Sequence, residues 1–157
     1  MTSDHTQLID FIVKAKQHTY AAEAGQAQRP LLNASQQLEY RSGDYFYRDI
    51  YFGSLFFAGQ ETVKFKNSVL WSMTYSGGLA SANADSKLTN SVYAFLRQAL
   101  LLVNKKTIYR GPKEFESGQY RFQNESTGDL SQFYGREIIL LHKQKVYELH
   151  YSGGLIR

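Results

Sequence analysis

Glu137 and His150 come nearest in this chain to a pair that could do acid–base chemistry, and Glu148 stands two residues along from His150 on the same face of its strand. A carboxylate beside an imidazole orients the ring and selects its tautomer, as general acid or base catalysis requires. The competing assignment is an exposed cross-strand ion pair. It is favoured because no Ser, Thr or Lys is forced into reach, and because the first half of the chain has Thr74 where His150 stands in the second. No catalytic residue is assigned, and Glu137, His150 and Glu148 stand as candidates only.

The four histidines, His5, His18, His142 and His150, show no HxH or HxxxH spacing, and there is no cysteine. Disulfide scaffolds, cysteine zinc sites and thiol nucleophiles are thereby excluded, and neither a metal nor a cofactor is expected. Gly77-Gly78 and Gly153-Gly154 lack the following Lys-Ser or Lys-Thr of a phosphate loop and read as chain punctuation. A GxSxG nucleophile elbow is also missing.

What remains is a polar-aromatic set, Glu39, Tyr47, Asp49, Tyr51, Glu61, Trp71 and Tyr75, with Tyr109 and Arg110 at the entry to the second half. Rings supply contact area and a few charges fix orientation, which is what a small-molecule pocket needs. Carboxylates beside Trp would favour a cationic or polyhydroxylated ligand. The opposing reading makes Trp71 and Tyr75 core, with Asp49 and Glu61 paired to Arg48, Arg110 or backbone.

The net charge is +4, with a pI near 9.2, but the basic residues are scattered in short pairs such as Lys64 and Lys66, Lys105 and Lys106, and Lys143 and Lys145. That distribution suits a solvated surface and argues against direct nucleic-acid binding. Twelve Tyr and ten Phe are the more unusual feature. The apolar run Leu8 to Val13 is interrupted by Asp10 and followed by Lys14, so neither a signal peptide nor a membrane span is read, and a cytoplasmic location is expected.

The elements that must position these residues repeat. "YSGGL" occurs at Tyr75 to Leu79 and at Tyr151 to Leu155. Glu39, Ser42, Gly43, Tyr45, Gly53 and Leu55 match Glu114, Ser117, Gly118, Tyr120, Gly128 and Leu130, while Gly59 and Glu61 match Gly135 and Glu137 after one inserted residue near 133. Helical spacing runs through Leu8, Phe11, Ile12 and Ala15, and again through Val92, Phe95, Leu96, Ala99, Leu100 and Val103. The second helix has possible starts at Asp85, Ser86 or Thr89.

Strands are predicted near 36–41, 44–52, 55–66 and 69–76, and near 113–117, 119–125, 132–142 and 145–152. Hairpin tips at Asn67-Ser68 and Lys143-Gln144 pair Glu61 with Thr74 and Glu137 with His150. They place Trp71, Met73, Tyr75, Tyr147, Leu149 and Tyr151, with Ile138 and Leu140, on the helix-covered face. Ala21 to Gln37 reads as a loop.

The expected fold is α+β: a tandem duplication of a helix plus a four-stranded antiparallel meander, helices on one face of the sheet. It forms one domain over 1–157 with pseudo-repeats about 7–80 and 88–157, and a monomer is favoured.

"LEYRSGDYFYRDIYFG", "FAGQETV", "LWSMTYSGG", "YRGP" and the closing "YSGGLI" resemble a bacterial family known only as domain of unknown function 5680, from about Leu8 to Ile156. Its members occur alone and fused behind a helix-turn-helix domain, which implies a sensory or regulatory module. With seven residues before Leu8, the DNA-reading part is expected to be absent here. The duplicated plan is also similar to that of β-lactamase inhibitor proteins, without their disulfides. Fold does not settle function.

The first functional expectation is a non-enzymatic domain that binds a small molecule and signals to a partner. The second is a protein-interaction module, inhibitor-like or immunity-like, using its aromatic sheet surface. An acid–base enzyme at Glu137 and His150 comes third.

Overall fold

The computed structural model describes residues 3–20 and 29–157. Helix α1 spans Ser3–Tyr20 and buries Leu8, Phe11, Ile12 and Ala15, a stripe at i, i+3, i+4 and i+7. Helix α2 spans Ser86–Leu100 and buries Val92, Phe95, Leu96, Ala99 and Leu100. It starts at Asp85, whose carboxylate accepts the Leu88 backbone N–H at 2.7 Å and so satisfies one donor that the first turn leaves open. Of the expected loop from Ala21 to Gln37, 21–28 lie outside the described residues. Residues 29–35 carry neither helix nor strand, and Gln36 opens the first strand.

Eight strands follow: β1 Gln36–Ser42, β2 Tyr45–Gly53, β3 Phe56–Phe65, β4 Ser68–Leu79, then after α2, β5 Glu114–Ser117, β6 Tyr120–Asp129, β7 Gln132–Leu141 and β8 Gln144–Leu155. They form a single antiparallel sheet in the order β1-β2-β3-β4-β8-β7-β6-β5. This corrects the expected fold. The α+β class stands, but the chain is one continuous eight-stranded sheet with two helices rather than two helix-plus-meander units. The physical reason lies at the edges. A four-stranded meander ending in a long strand would leave a row of unpaired N–H and C=O groups, and β4 and β8 remove both rows by pairing with each other.

That seam is where the glycine pairs sit. Gly77 faces Leu149 and Gly153 faces Met73 across β4 and β8. A Cβ on Gly77 would lie 2.2 Å from the Glu148 carbonyl oxygen, and one on Gly153 would lie 2.2 Å from that of Ser72. The glycines are therefore not punctuation at strand ends. They allow two backbones to approach inside the sheet.

The register differs from the expected one for an identifiable reason. The turns are Lys66-Asn67 and His142-Lys143, one residue earlier than predicted. That displacement alone would set Glu61 opposite Ser72 and keep it on the polar face. A bulge then intervenes: Val63 pairs with Trp71 and Lys64 with Val69, leaving Leu70 extra, and Ile139 pairs with Tyr147 and Leu140 with Lys145, leaving Val146 extra. One added residue exchanges the faces. Glu61 comes to face Met73, and Glu137 to face Leu149. Ile139, rather than Ile138 and Leu140, enters the core.

Both helices cover one face of the sheet. Trp71, Met73, Tyr75, Tyr147, Leu149 and Tyr151 are buried there. Phe11 of α1 stacks on Tyr45, and Phe95 of α2 stacks on Phe115 and Tyr120.

The second turn carries a cost. His142 at φ 50° and Lys143 at φ 67° are both left-handed, as a type I′ turn requires, without the Asn-Gly that suits it. Side chains there cost ~1 kcal/mol per residue. Replacing the pair by Asn and Gly (H142N with K143G) is expected to stabilise the fold by ~1 kcal/mol and raise its melting temperature by ~2–4 °C. An unchanged melting temperature would show that the turn is not strained.

Candidate functional site

Three acidic side chains, Asp49, Glu61 and Glu137, point from the sheet into the layer beneath the helices, and all are buried. Burying an ionised carboxylate is costly unless a cation and hydrogen bonds meet it. Glu61 and Glu137 are so met, and Asp49 is not.

Lys16 of α1 reaches Glu61 with Nζ at 3.0 Å from Oε1 and 2.9 Å from Oε2, and also donates to the Tyr109 carbonyl. The Tyr47 hydroxyl donates to the same carboxylate. Burial pulls the Lys16 pKa below its usual value, against the opposing pull of Glu61. Lys16 escaped the sequence reading, although Leu8, Ile12 and Lys16 continue one i, i+4 line along the buried side of α1.

Arg110 grips Glu137 with two parallel bonds, Nε to Oε2 at 3.1 Å and Nη2 to Oε1 at 2.8 Å, and Tyr147 donates to Oε1 at 2.8 Å. This fork-to-fork geometry is the strong form of an ion pair. His150 lies on the opposite face, exposed, with Nε2 3.0 Å from Glu148 Oε1. Glu137 and His150 therefore do not meet. The carboxylate beside His150 is Glu148 of the same strand, so the expected cross-strand pairing with Glu137 is not formed.

Asp49 is 5 % exposed. The Tyr75 hydroxyl donates to its Oδ1 at 2.6 Å. Tyr75 reaches it by crossing β3 over Gly59, where a Cβ would stand 2.4 Å from the tyrosine oxygen. Among the described residues no lysine or arginine forms a salt bridge with Asp49. Burial and then the Glu61 charge push its carboxyl up to about 7, against the Tyr75 hydrogen bond and the more distant Arg110 and Lys16.

On the same face, in the other half of the sheet, Asn124 pairs with Glu137 as Asp49 pairs with Glu61. There Tyr151 donates to Oδ1 at 2.7 Å, and the amide donates to the Gly111 carbonyl at 3.3 Å. A neutral amide closes that site on backbone, whereas the carboxylate at position 49 borders a cavity.

The cavity has a volume of about 430 Å³ and is lined by Asp49, Tyr51, Tyr75 and Arg110 of the expected set. Phe57 joins from β3, and Tyr93, Leu96, Arg97 and Leu100 from α2. Tyr93 is fixed by donating its hydroxyl to the Ser54 carbonyl, and Phe57 meets Tyr75 and Tyr93 edge-on at 6.0 Å. Leu96 and Leu100 entered the sequence reading only as members of the core stripe, and Tyr93 and Arg97 escaped it. Their own signal is the spacing of Tyr93, Arg97 and Leu100.

The remaining expected residues lie elsewhere. Tyr47, Glu61 and Trp71 are fully buried core. Glu39 pairs with Arg48 at 3.2 Å at the sheet margin, and Tyr109 stacks on Phe133 at 3.8 Å. Among the described residues no group of three acidic or histidine side chains could hold a metal ion. No helix among them is long and apolar enough to cross a membrane.

Two consequences are measurable. Lys16→Met leaves Glu61 buried without its cation and should cost ~3 kcal/mol or more, much of it recovered when Glu61→Leu is added; equal losses in the single and double variants would contradict the pairing. For Asp49, folding raises the pKa from 3.8 to about 7, so the native state holds this proton more tightly than the unfolded chain. Its contribution is fully present below 3.8 and is lost as pH rises through about 7. Asp49→Asn keeps an acceptor for Tyr75 and should raise the melting temperature by ~3 °C or more at pH 8, with a smaller gain at pH 5. Equal gains at the two pH values would show that Asp49 titrates normally.

No curated protein and no solved structure matches the chain. A family model described as a domain of unknown function matches residues 49–156, from the cavity carboxylate on β2 to the end of β8. With well over half of its length matched, this chain belongs to the family of the domain of unknown function DUF5680.

Proposed function

We propose that this chain is a small-molecule-binding domain without catalytic activity of its own, and that its ligand occupies the cavity between α2 and strands β1 to β4. The observation that carries this reading is Asp49. A buried carboxylate with no salt-bridge partner among the described residues weakens the fold at neutral pH, and the amide at the matching place shows that a neutral residue can occupy such a position. A destabilising side chain on a cavity wall is what a binding site retains at the expense of stability.

The walls agree with this role. Tyr51, Phe57, Tyr75 and Tyr93 offer aromatic area around a few polar groups, and the volume suits a metabolite. The acid–base alternative loses its geometry, because Glu137 and His150 occupy opposite faces of the sheet. The sheet face away from the helices exposes Thr74, Ser76, His150 and Ser152 along its centre, and its exposed rings Phe52, Phe56 and Tyr134 sit on strands to either side of that polar strip.

The test is a thermal-shift screen of the purified protein against a broad metabolite panel at pH 8, repeated with Asp49→Asn. A ligand at one hundred times its Kd should add ~2.7 kcal/mol and raise the melting temperature by roughly 5–10 °C. The Asp49→Asn protein should remain folded and lose the response. Shifts that persist unchanged in the variant would place the ligand elsewhere, and a panel without any response would count against the binding reading.

A further inference from the structure

Resting on the cavity reading above, the geometry points to a dipolar ligand: we infer that the cavity takes a small aromatic zwitterion, its ammonium group against Asp49 and its carboxylate against Arg97. Two charges of opposite sign line the same cavity without a salt-bridge partner among the described residues. Asp49 is the inner one, at 5 % exposure, and Arg97 is the outer one, on the exposed side of α2. The other cations near Asp49 are engaged, Lys16 with Glu61 and Arg110 with Glu137.

Tyr51 ties the two charges together. After burial, its phenol feels Asp49, which raises its pKa, and Arg97, which lowers it, so both charges stand within electrostatic reach of one side chain. Both also line the same cavity of about 430 Å³, a space that a single small molecule can fill. The space between them is walled by Tyr51, Phe57, Tyr75 and Tyr93, which suits an aromatic body and adds attraction for the ammonium.

A purely cationic ligand would leave Arg97 unanswered. A purely anionic one would meet Asp49, whose charge repels it. A dipolar molecule answers both: its ammonium meets Asp49 where little water reaches and a charge-assisted hydrogen bond is at its strongest, and its carboxylate meets Arg97 on the exposed side of α2.

The experiment is isothermal titration at pH 8 with two aromatic zwitterions, phenylalanine and 4-(aminomethyl)benzoate. The first carries its charges on one carbon, and the second carries them across a ring. Each is compared with its singly charged counterparts, phenethylamine and 3-phenylpropionate for the first, benzylamine and benzoate for the second.

At least one zwitterion is expected to bind about ten-fold or more tightly than both of its counterparts. Asp49→Asn should abolish its advantage over the acid, and Arg97→Gln its advantage over the amine. An amine that binds as tightly as its zwitterion, with Arg97→Gln silent, would overturn the assignment in favour of a simple cation. An acid that does so, with Asp49→Asn silent, would overturn it in favour of an anion. If none of the six compounds binds, the dipolar assignment fails. The cavity reading is judged separately, by whether the broad panel yields any ligand whose response depends on Asp49.

Discussion

A carboxylate held away from water must find a cation or give up its charge, and the inner layer of this protein is organised around that constraint. Glu61 and Glu137 lie under the helices, each on a strand next to the β4–β8 seam. Lys16 must descend from α1 to meet the first, and Arg110 must approach from the segment before β5 to meet the second. Such pairs contribute little net stability over an apolar core, yet losing one partner is expensive. Each pair ties a segment outside the sheet, α1 through Lys16 and the stretch before β5 through Arg110, to a fixed point on the sheet.

Once those cations are committed, Asp49 is isolated. It retains the Tyr75 hydroxyl, and its carboxyl is pushed up to about 7, first by burial and then by the Glu61 charge. The contrast with Asn124 shows how small the chemical difference is. Exchanging an amide for a carboxylate turns a place closed on backbone into one that needs a proton or a cation. The aromatic walls and Arg97 provide a setting in which a ligand can supply that group.

Much of this architecture is legible from local pattern. The stripes of α1 and α2 and the alternation along the strands follow from spacing alone, because helix and strand periods are imposed on any chain, while the structure picks Asp85 from three possible starts of α2. The aromatic-carboxylate set was visible too, and Asp49, Tyr51, Tyr75 and Arg110 do line one cavity. What was not legible is the face on which each acid lies. The bulges at Val63/Lys64 and Ile139/Leu140 turn Glu61 and Glu137 inward and separate Glu137 from His150. Neither a glycine nor an Asn-Gly turn marks them, since Lys66, His142 and Lys143 take the left-handed backbone themselves.

By itself, then, the amino-acid sequence determined the kinds and order of the elements, the residues able to form a core, and the chemistry on offer: rings, carboxylates and scattered cations, with no thiol. Only the tertiary structure decided that the strands form one sheet, which acids receive cations, and which one borders an open cavity. Periodicity is a short-range property, written within a few residues. Ion pairing and sheet order join positions such as Lys16 and Glu61, or Trp71 and Leu155, that lie far apart along the chain and meet only when the whole layer is assembled.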